Sequence, residues 1–418
     1  MLFIPDRHEA LRGGAWSEPL VRQAIARIVA SACAAFDPQT LWPTHPRDRV
    51  DEASTLPMAS LYSGAAGVIW ALGRLKADGL VDVAIDFDAT IAGLLDHNRR
   101  FNAAAEIPSP SYFLGDAGVL LLQWKRLGDP AAADALFALA EGNLHNPTLE
   151  PLWGSSGTLI AVLHMLDDLS EPPQRQRWQD LLQRGAAILF DQMHKVRRSA
   201  SPQTEAWLWT QDMYGRTVDY LGAGHGFAGN LFPIVHGARW LDAGLVERFE
   251  ERALHTLGVS AEREGNALNW EPDFDRSVNG HPSKRLMQDC HGAPGIVCRL
   301  AETRSPGLRE LLVAAGEAVW VAGPLAKPPG LCHGTDGNGY AFLKLHAMTG
   351  EAHWLDRARA FAMHALKQSE AEAQRQTQEE THKHGTLRFT VWSGDIGLAL
   401  YLSSCLRADP AFPTLDVF

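Results

Sequence analysis

The sequence predicts an all-α fold, a ring of seven helical hairpins. Three observations predict it. Apolar residues recur at three- and four-residue spacing along most of the chain, alternating apolar/polar stretches are scarce, and a Gly-x-x-Gly pair returns seven times, each time opening an apolar run. Of the 418 residues 46% are hydrophobic, ample for a large core, and 37 are glycines, which permit repeated tight turns. A closed repeat architecture absorbs that length as one unit, so a single domain over residues 1–418 is expected, with its repeat region at about 55–405.

Taken in order, helix periodicity marks Val21–Phe36, Ala65–Ala77, Ala117–Leu127, Gly157–Leu169, Trp178–Met193, Glu247–Val259 and Trp354–Ser369, with short Pro- and Gly-rich connectors such as Glu171–Pro173 and Lys327–Gly330 between helices. The glycine pairs are Gly64/Gly67, Gly115/Gly118, Gly154/Gly157, Gly226/Gly229, Gly292/Gly295, Gly334/Gly337 and Gly394/Gly397. Successive pairs lie about 40 to 70 residues apart, the length of a helical hairpin plus a variable loop. Closing seven hairpins into a ring places one helix of each inside and one outside, and gathers the glycine turns on one face with their helix dipoles. Three longer stretches, Arg197–Tyr220, Asn269–Asp289 and Glu370–Arg388, are rich in charged and aromatic residues and are expected to form walls or lids on that face.

Composition narrows the function. The formal net charge of -11 argues against nucleic acid as a partner, because phosphate binding needs a basic face. No apolar run reaches the roughly 18 to 20 residues needed to cross a bilayer, and Met1–Ala10 has no apolar signal core, so a soluble, cytoplasmic protein is expected. Five cysteines in a long chain do not form a disulfide framework. Cys33, Cys298 and Cys405 lie among small and apolar residues and are expected to be inert core thiols.

The chemistry concentrates in three of the turns. Cys290-His291-Gly292 and Cys332-His333-Gly334 present thiolate and imidazole at two equivalent ring positions, the donor chemistry that zinc favours. A closed site would use all four of Cys290, His291, Cys332 and His333; an open, catalytic site would use three and leave a position for substrate. The third turn, Gly222-Ala223-Gly224-His225-Gly226, carries a histidine without a neighbouring cysteine, suited to acid or base work across the ring. Asp116 is expected to cap a helix. A prenyltransferase-type zinc site would need Asp with Cys and His at other spacings, and a glycosidase two opposed carboxylates, so the Cys-His-Gly turns disfavour both.

These residues resemble the lanthionine synthetase C-like (LanC-like) family. The resemblance rests on Tyr220-Leu221-Gly222-Ala223-Gly224-His225-Gly226, Cys290-His291-Gly292-Ala293-Pro294-Gly295 and Gly330-Leu331-Cys332-His333-Gly334, joined by Ser60-Leu61-Tyr62-Ser63-Gly64 and Gly115-Asp116-Ala117-Gly118. It implies an α/α toroid, a double ring of seven inner and seven outer helices. It also implies a zinc ion held by Cys290, Cys332 and His333, with the fourth position open to a substrate thiol. The family's catalytic histidine falls on His225 and its acidic partner on Glu150, four residues before Gly154. An arginine that family members with bacterial cyclase activity carry a few residues before the first zinc cysteine falls nearest to Arg285, one position out of register. The implied reaction is Michael addition of a thiol to dehydroalanine or dehydrobutyrine in a peptide, closing a lanthionine ring or attaching glutathione. The unsaturated residues would come from a separate dehydratase or from damage chemistry.

Two details refine the resemblance. The family usually has Trp immediately before the first zinc cysteine, where this chain has Asp289; an added carboxylate there is expected to raise the local negative charge. The fifth-repeat Cys-His-Gly, together with Lys327 five residues before Cys332, is more like the eukaryotic-type branch, in which the matching lysine contacts glutathione. A zinc- and glutathione- or peptide-binding protein without turnover is the alternative reading.

Overall fold

The computed structural model describes residues 1–48, 56–199, 201–275, 284–378 and 387–418. Among these residues it contains fourteen α-helices. Seven of them begin at the glycine pairs: α2 (Ala65–Ala77), α4 (Asp116–Leu127), α6 (Ser155–Asp168), α8 (Phe227–His236), α10 (Ala293–Leu300), α12 (Thr335–Thr349) and α14 (Asp395–Arg407). The other seven are α1 (Glu18–Ala35), α3 (Asp88–Ala104), α5 (Pro130–Gly142), α7 (Pro172–Gln192), α9 (Ala243–Ser260), α11 (Pro306–Ala322) and α13 (Ala352–Gln378).

Burial sorts the two sets. In α6 every residue from Ser155 to Leu166 is buried, and in α14 every residue from Asp395 to Cys405. A helix buried all round has no solvent face, which places this set inside. In α7 the buried residues are Trp178, Leu181, Leu182, Gly185, Ala186 and Leu189, a single stripe at helical spacing, which places its set outside. The inner helices pack in the order α2, α4, α6, α8, α10, α12 and α14, and α14 packs back on α2. The ring is closed, as an α/α toroid.

The second glycine of each pair has one steric cause in all seven repeats. The loop before each inner helix folds back over the helix's first turn, so that a backbone carbonyl sits where a side chain on the second glycine would begin. A Cβ on Gly157 would lie 1.9 Å from the Pro151 oxygen, and one on Gly337 1.8 Å from the Leu331 oxygen. Each of those carbonyls is six residues upstream of its glycine, and the other five repeats keep that offset. Glycine is required there by close approach rather than by an unusual φ.

These loops are stitched together at the ring's hub. The residue two before each first glycine donates its backbone N–H to the carbonyl of its counterpart in the next repeat. The chain runs Gly224 to Cys290 (2.9 Å), Cys290 to Cys332 (3.0 Å), Cys332 to Trp392 (2.8 Å), Trp392 to Tyr62 (3.4 Å) and Tyr62 to Phe113 (2.9 Å). The third repeat departs from the pattern: the Leu152 carbonyl accepts instead from the Ser111 hydroxyl (2.6 Å), and the Leu152 N–H turns to the Glu150 carboxylate (2.9 Å).

The hole along the ring axis is filled by the C-terminal segment. Phe412 lies beneath the Arg299 guanidinium of α10 and against Tyr340 of α12. Asp416 pairs with Lys344 of α12 at 2.6 Å and with His236 of α8 at 3.2 Å. Phe418 reaches Trp70 of α2 and His164 of α6. A short tail carries no periodicity of its own, so this plug leaves no signal in the sequence.

Two of the expected walls or lids gain a definite structure. Arg197–Tyr220 and its surroundings form antiparallel hairpins: β1 (His194–Arg198) with β2 (Ser201–Leu208), and β3 (Gln211–Met213) with β4 (Arg216–Val218). A third hairpin pairs β5 (Glu262–Glu264) with β6 (Ala267–Asn269). Several of these strands are only three residues long, too short for an alternating pattern to register. Part of the expected Glu370–Arg388 lid is a continuation of α13 to Gln378; residues 379–386 lie outside the described residues, as do 276–283 of the Asn269–Asp289 stretch. No helix among the described residues is long and apolar enough to cross a membrane.

His164 generates a pH prediction. Burial pushes its imidazole down from 6.5 to about 3. The unfolded chain therefore takes up a proton near pH 6.5 that the folded chain refuses until about pH 3, and stability is lost as pH falls through that window. The slope from this one group is at most about 1.4 kcal/mol per pH unit. Urea midpoints measured from pH 7 to 4 should fall less steeply in His164→Leu than in the wild type.

Candidate active site at the hub of the ring

Cys290 and Cys332 occupy two consecutive hub positions, so the backbone bond between them brings their side chains together. Gly224, the next hub position, leaves room: a Cβ there would lie 2.8 Å from the Cys290 Cβ. The two half-buried thiols act on each other: Cys332 is held well below the usual thiol range, first by Cys290, with His333 and Tyr62 acting in the same sense and burial opposing. The Cys290 thiol is pushed well up, first by Cys332 and then by burial. The Gln288 side-chain amide donates to the Cys290 sulfur at 3.0 Å, and Lys327 Nζ donates to the Gln288 oxygen at 3.2 Å. Burial pushes the Lys327 ammonium down, and the nearby Arg7 adds to this. Tyr62 stacks on Trp392, with ring centroids 5.5 Å apart and planes within 8°, and gives the cysteines an aromatic wall.

Two thiols on neighbouring hub positions and the His333 imidazole, which lowers the Cys332 thiol, offer a donor set that suits zinc. Among the described residues a different trio, His236, Glu302 and Asp416, has its donor atoms all within 4.8 Å of one another. That trio already holds a cation: Lys344 Nζ is 2.6 Å from Asp416 and 3.5 Å from Glu302. Burial opposes the Lys344 charge, but Asp416 and Glu302 outweigh it and lift its pKa, so a metal there would face a buried ammonium. The thiol cluster is the better fit.

The other half of the site comes from the third and fourth repeats. Glu150 is 0% exposed, and its carboxylate accepts from the Leu152 N–H (2.9 Å), the Trp153 N–H (2.5 Å) and His225 Nδ1 (2.9 Å). An ionised carboxylate only accepts, so Nδ1 carries the proton toward Glu150 and Nε2 is left for other work. Leu149, with φ of 50°, turns the chain into this loop, and its carbonyl is held by Asn230 of α8 at 2.8 Å. His225, 25% exposed at its side chain, is flanked by Tyr220, His291 and Tyr214 at ring distances of 6.4, 6.1 and 6.2 Å. This is the departure in the third repeat seen from the site: the hub bond is given up so that a carboxylate can hold His225.

The family model described as lanthionine synthetase C-like protein matches residues 54–417. The chain belongs to the LanC-like family. It is 30% identical over 174 residues to the LanC-like protein GCL1 of Arabidopsis thaliana, covering 40% of this chain and 38% of that one. It is 26% identical over 285 residues to the glutathione S-transferase LANCL1 of Danio rerio, covering 64% of this chain and 62% of that one. The matches therefore span less than two thirds of either relative's length. Nisin cyclase has the same fold, with a TM-score of 0.56 at 16% identity, covering 90% of this chain and 93% of that one.

Within this LanC-like toroid the remaining expected residues are placed as follows. His291 turns toward Tyr220 at 5.1 Å; its Nδ1 is buried without a hydrogen bond, and burial pushes its pKa down to about 3. Arg285 is not brought to the cluster. Its guanidinium is held by Glu262 (3.3 Å), Glu271 (3.4 Å) and the Met1 carbonyl (2.8 Å). Asp116 does not cap α4; its carboxylate ties α3 to α4 through Asn98 and Arg99 and accepts from Ser109. Asp289 does not add net charge to the site, because Arg299 meets it with two hydrogen bonds of 3.0 and 2.6 Å and both are buried. Burial pushes the Asp289 carboxyl up to about 6, with Arg299 acting in the opposite sense. Gln288, Tyr62 and Trp153 were not singled out from the sequence. Tyr62 and Trp153 lie in the turns before Gly64 and Gly154, and Gln288 two residues before Cys290, so counting back from each glycine pair was the available signal.

Arg299→Met leaves the Asp289 carboxylate buried without its partner, which is expected to cost about 3–5 kcal/mol in denaturant unfolding. Adding Asp289→Leu to that variant should recover most of the loss.

Proposed function

We propose that this protein forms thioethers, adding a thiol to the β-carbon of a dehydroalanine or dehydrobutyrine residue in a peptide. The observation that carries this reading is the Glu150–His225 pair at 2.9 Å, set at the same hub as the Cys290–Cys332–His333 cluster. Zinc held by Cys290, Cys332 and His333 would supply the Lewis acidity that keeps a thiol deprotonated at neutral pH. Addition forms the C–S bond at the β-carbon and moves the C=C electron pair onto the α-carbon and its carbonyl oxygen as an enolate. His225 Nε2 delivers a proton to that α-carbon and is reprotonated from water. Glu150 fixes the imidazole by its Nδ1–H and stabilises it when charged. Lys327, beside the two thiols, offers an ammonium to a carboxylate of the incoming thiol compound. Glutathione has such carboxylates, and the zebrafish relative is named a glutathione S-transferase.

The test is a dehydroalanine peptide that also carries a free cysteine, incubated with zinc-loaded protein and glutathione, then alkylated and weighed by mass spectrometry. A glutathione-sized gain marks intermolecular addition; loss of alkylatable thiol without that gain marks ring closure. His225→Ala should lower kcat by about 10²- to 10³-fold with its zinc content unchanged. Cys332→Ala should lose zinc by elemental analysis. Full turnover in His225→Ala would overturn the proton-donor role, and zinc-loaded protein that produces neither mass change would move the reading to a zinc- and peptide-binding protein.

A further inference from the structure

We propose that Tyr214 and Trp153 form a clamp for the peptide substrate, taking an aromatic or bulky aliphatic residue that flanks the unsaturated one. This rests on the thioether-forming reading and names the side of the site where the peptide lies.

Tyr214 stands at the tip of the β3–β4 hairpin. Met213 pairs with Arg216, so the connection is the two-residue turn Tyr214-Gly215, with φ of 54° and 69°. Two positive φ values in a two-residue hairpin turn favour Asn, Asp or Gly at the first position, and a bulky residue there is strained. Tyr214 is one of several non-glycine residues with positive φ, Leu41, Leu149 and Thr414 among them, so the strain counts only together with what the ring touches.

The ring's surroundings agree. Tyr214 is 68% exposed, a large aromatic side chain open to solvent, yet its edge meets the His225 ring at an interplanar angle of 85°. Its hydroxyl accepts from the Trp153 indole N–H at 2.8 Å, bridging from the hairpin to the loop that carries Glu150. Desolvation of its hydroxyl end lifts the Tyr214 pKa, and the nearby Glu150 adds to this. Lys327 instead is tied through Gln288 to the Cys290 sulfur. The thiol end and the His225 end of the site are thus distinct. Tyr214 and Trp153 lie at the end where the protonated α-carbon, and so the peptide, must be.

Two fluorescein-labelled peptides decide it, one with Phe and one with Gly beside a single dehydroalanine. Wild-type protein should favour the Phe peptide about five- to tenfold, in anisotropy binding and in KM, the size of one aromatic contact. Tyr214→Asn suits the turn better, so its melting temperature should hold or rise while the preference disappears. Tyr214→Phe keeps the ring and should retain the preference. A preference that survives in Tyr214→Asn, or none in the wild type, overturns the clamp. Anisotropy does not depend on turnover: a Phe preference lost in Tyr214→Asn, in a protein that forms no adduct, would uphold the clamp and remove the thioether reading.

Discussion

Everything at the functional face depends on one close approach repeated around the ring, a loop carbonyl resting on the bare backbone of the second glycine of each pair. With a carbonyl oxygen 1.7 Å from where a Cβ on Gly295 would be, no other residue fits without moving the loop. That contact holds the residue two before each first glycine on the axis side of its helix. Five backbone hydrogen bonds then link those residues from Gly224 round to Phe113. Cys290 and Cys332 are neighbours because they are consecutive members of this chain, not because of any attraction between their side chains.

The site uses that regularity and breaks it once. Where the third repeat should continue the hub, Glu150 takes over the Leu152 N–H and with it gains the Trp153 N–H and His225. A buried carboxylate is expensive unless its lone pairs are occupied, and here three donors occupy them. The surrounding charges are likewise closed pairs: Asp289 with Arg299, and Asp416 with Lys344. With these neutralised, the thiols, His333, His225 and Lys327 remain as the groups the proposed reaction would use.

Much of the architecture was legible because its causes are local. The glycine spacing, the helical periodicity and the Cys-His-Gly turns each lie within a few residues, and together they indicate a ring of hairpins with donors for zinc on one face. Other features were not legible because their causes are distant. Arg285 lies close in sequence to Cys290, yet Glu262, Glu271 and the first residue of the chain hold its guanidinium elsewhere. Asp289 appears from the sequence as an added charge, and only the packing of α10 supplies the arginine that cancels it. The three-residue strands that lift Tyr214 over His225 are too short to show a period.

By itself, then, the sequence determined the repeat, the fold class and the residue types available for chemistry, since steric exclusion at glycine and helix periodicity act over one or two turns of chain. Tertiary structure alone decided which of those residues meet. His225 and Glu150 are 75 residues apart, and the tail that fills the ring axis joins helices from opposite sides of the toroid. Such contacts depend on how the ring closes, a property of all seven hairpins together that no single stretch of sequence contains.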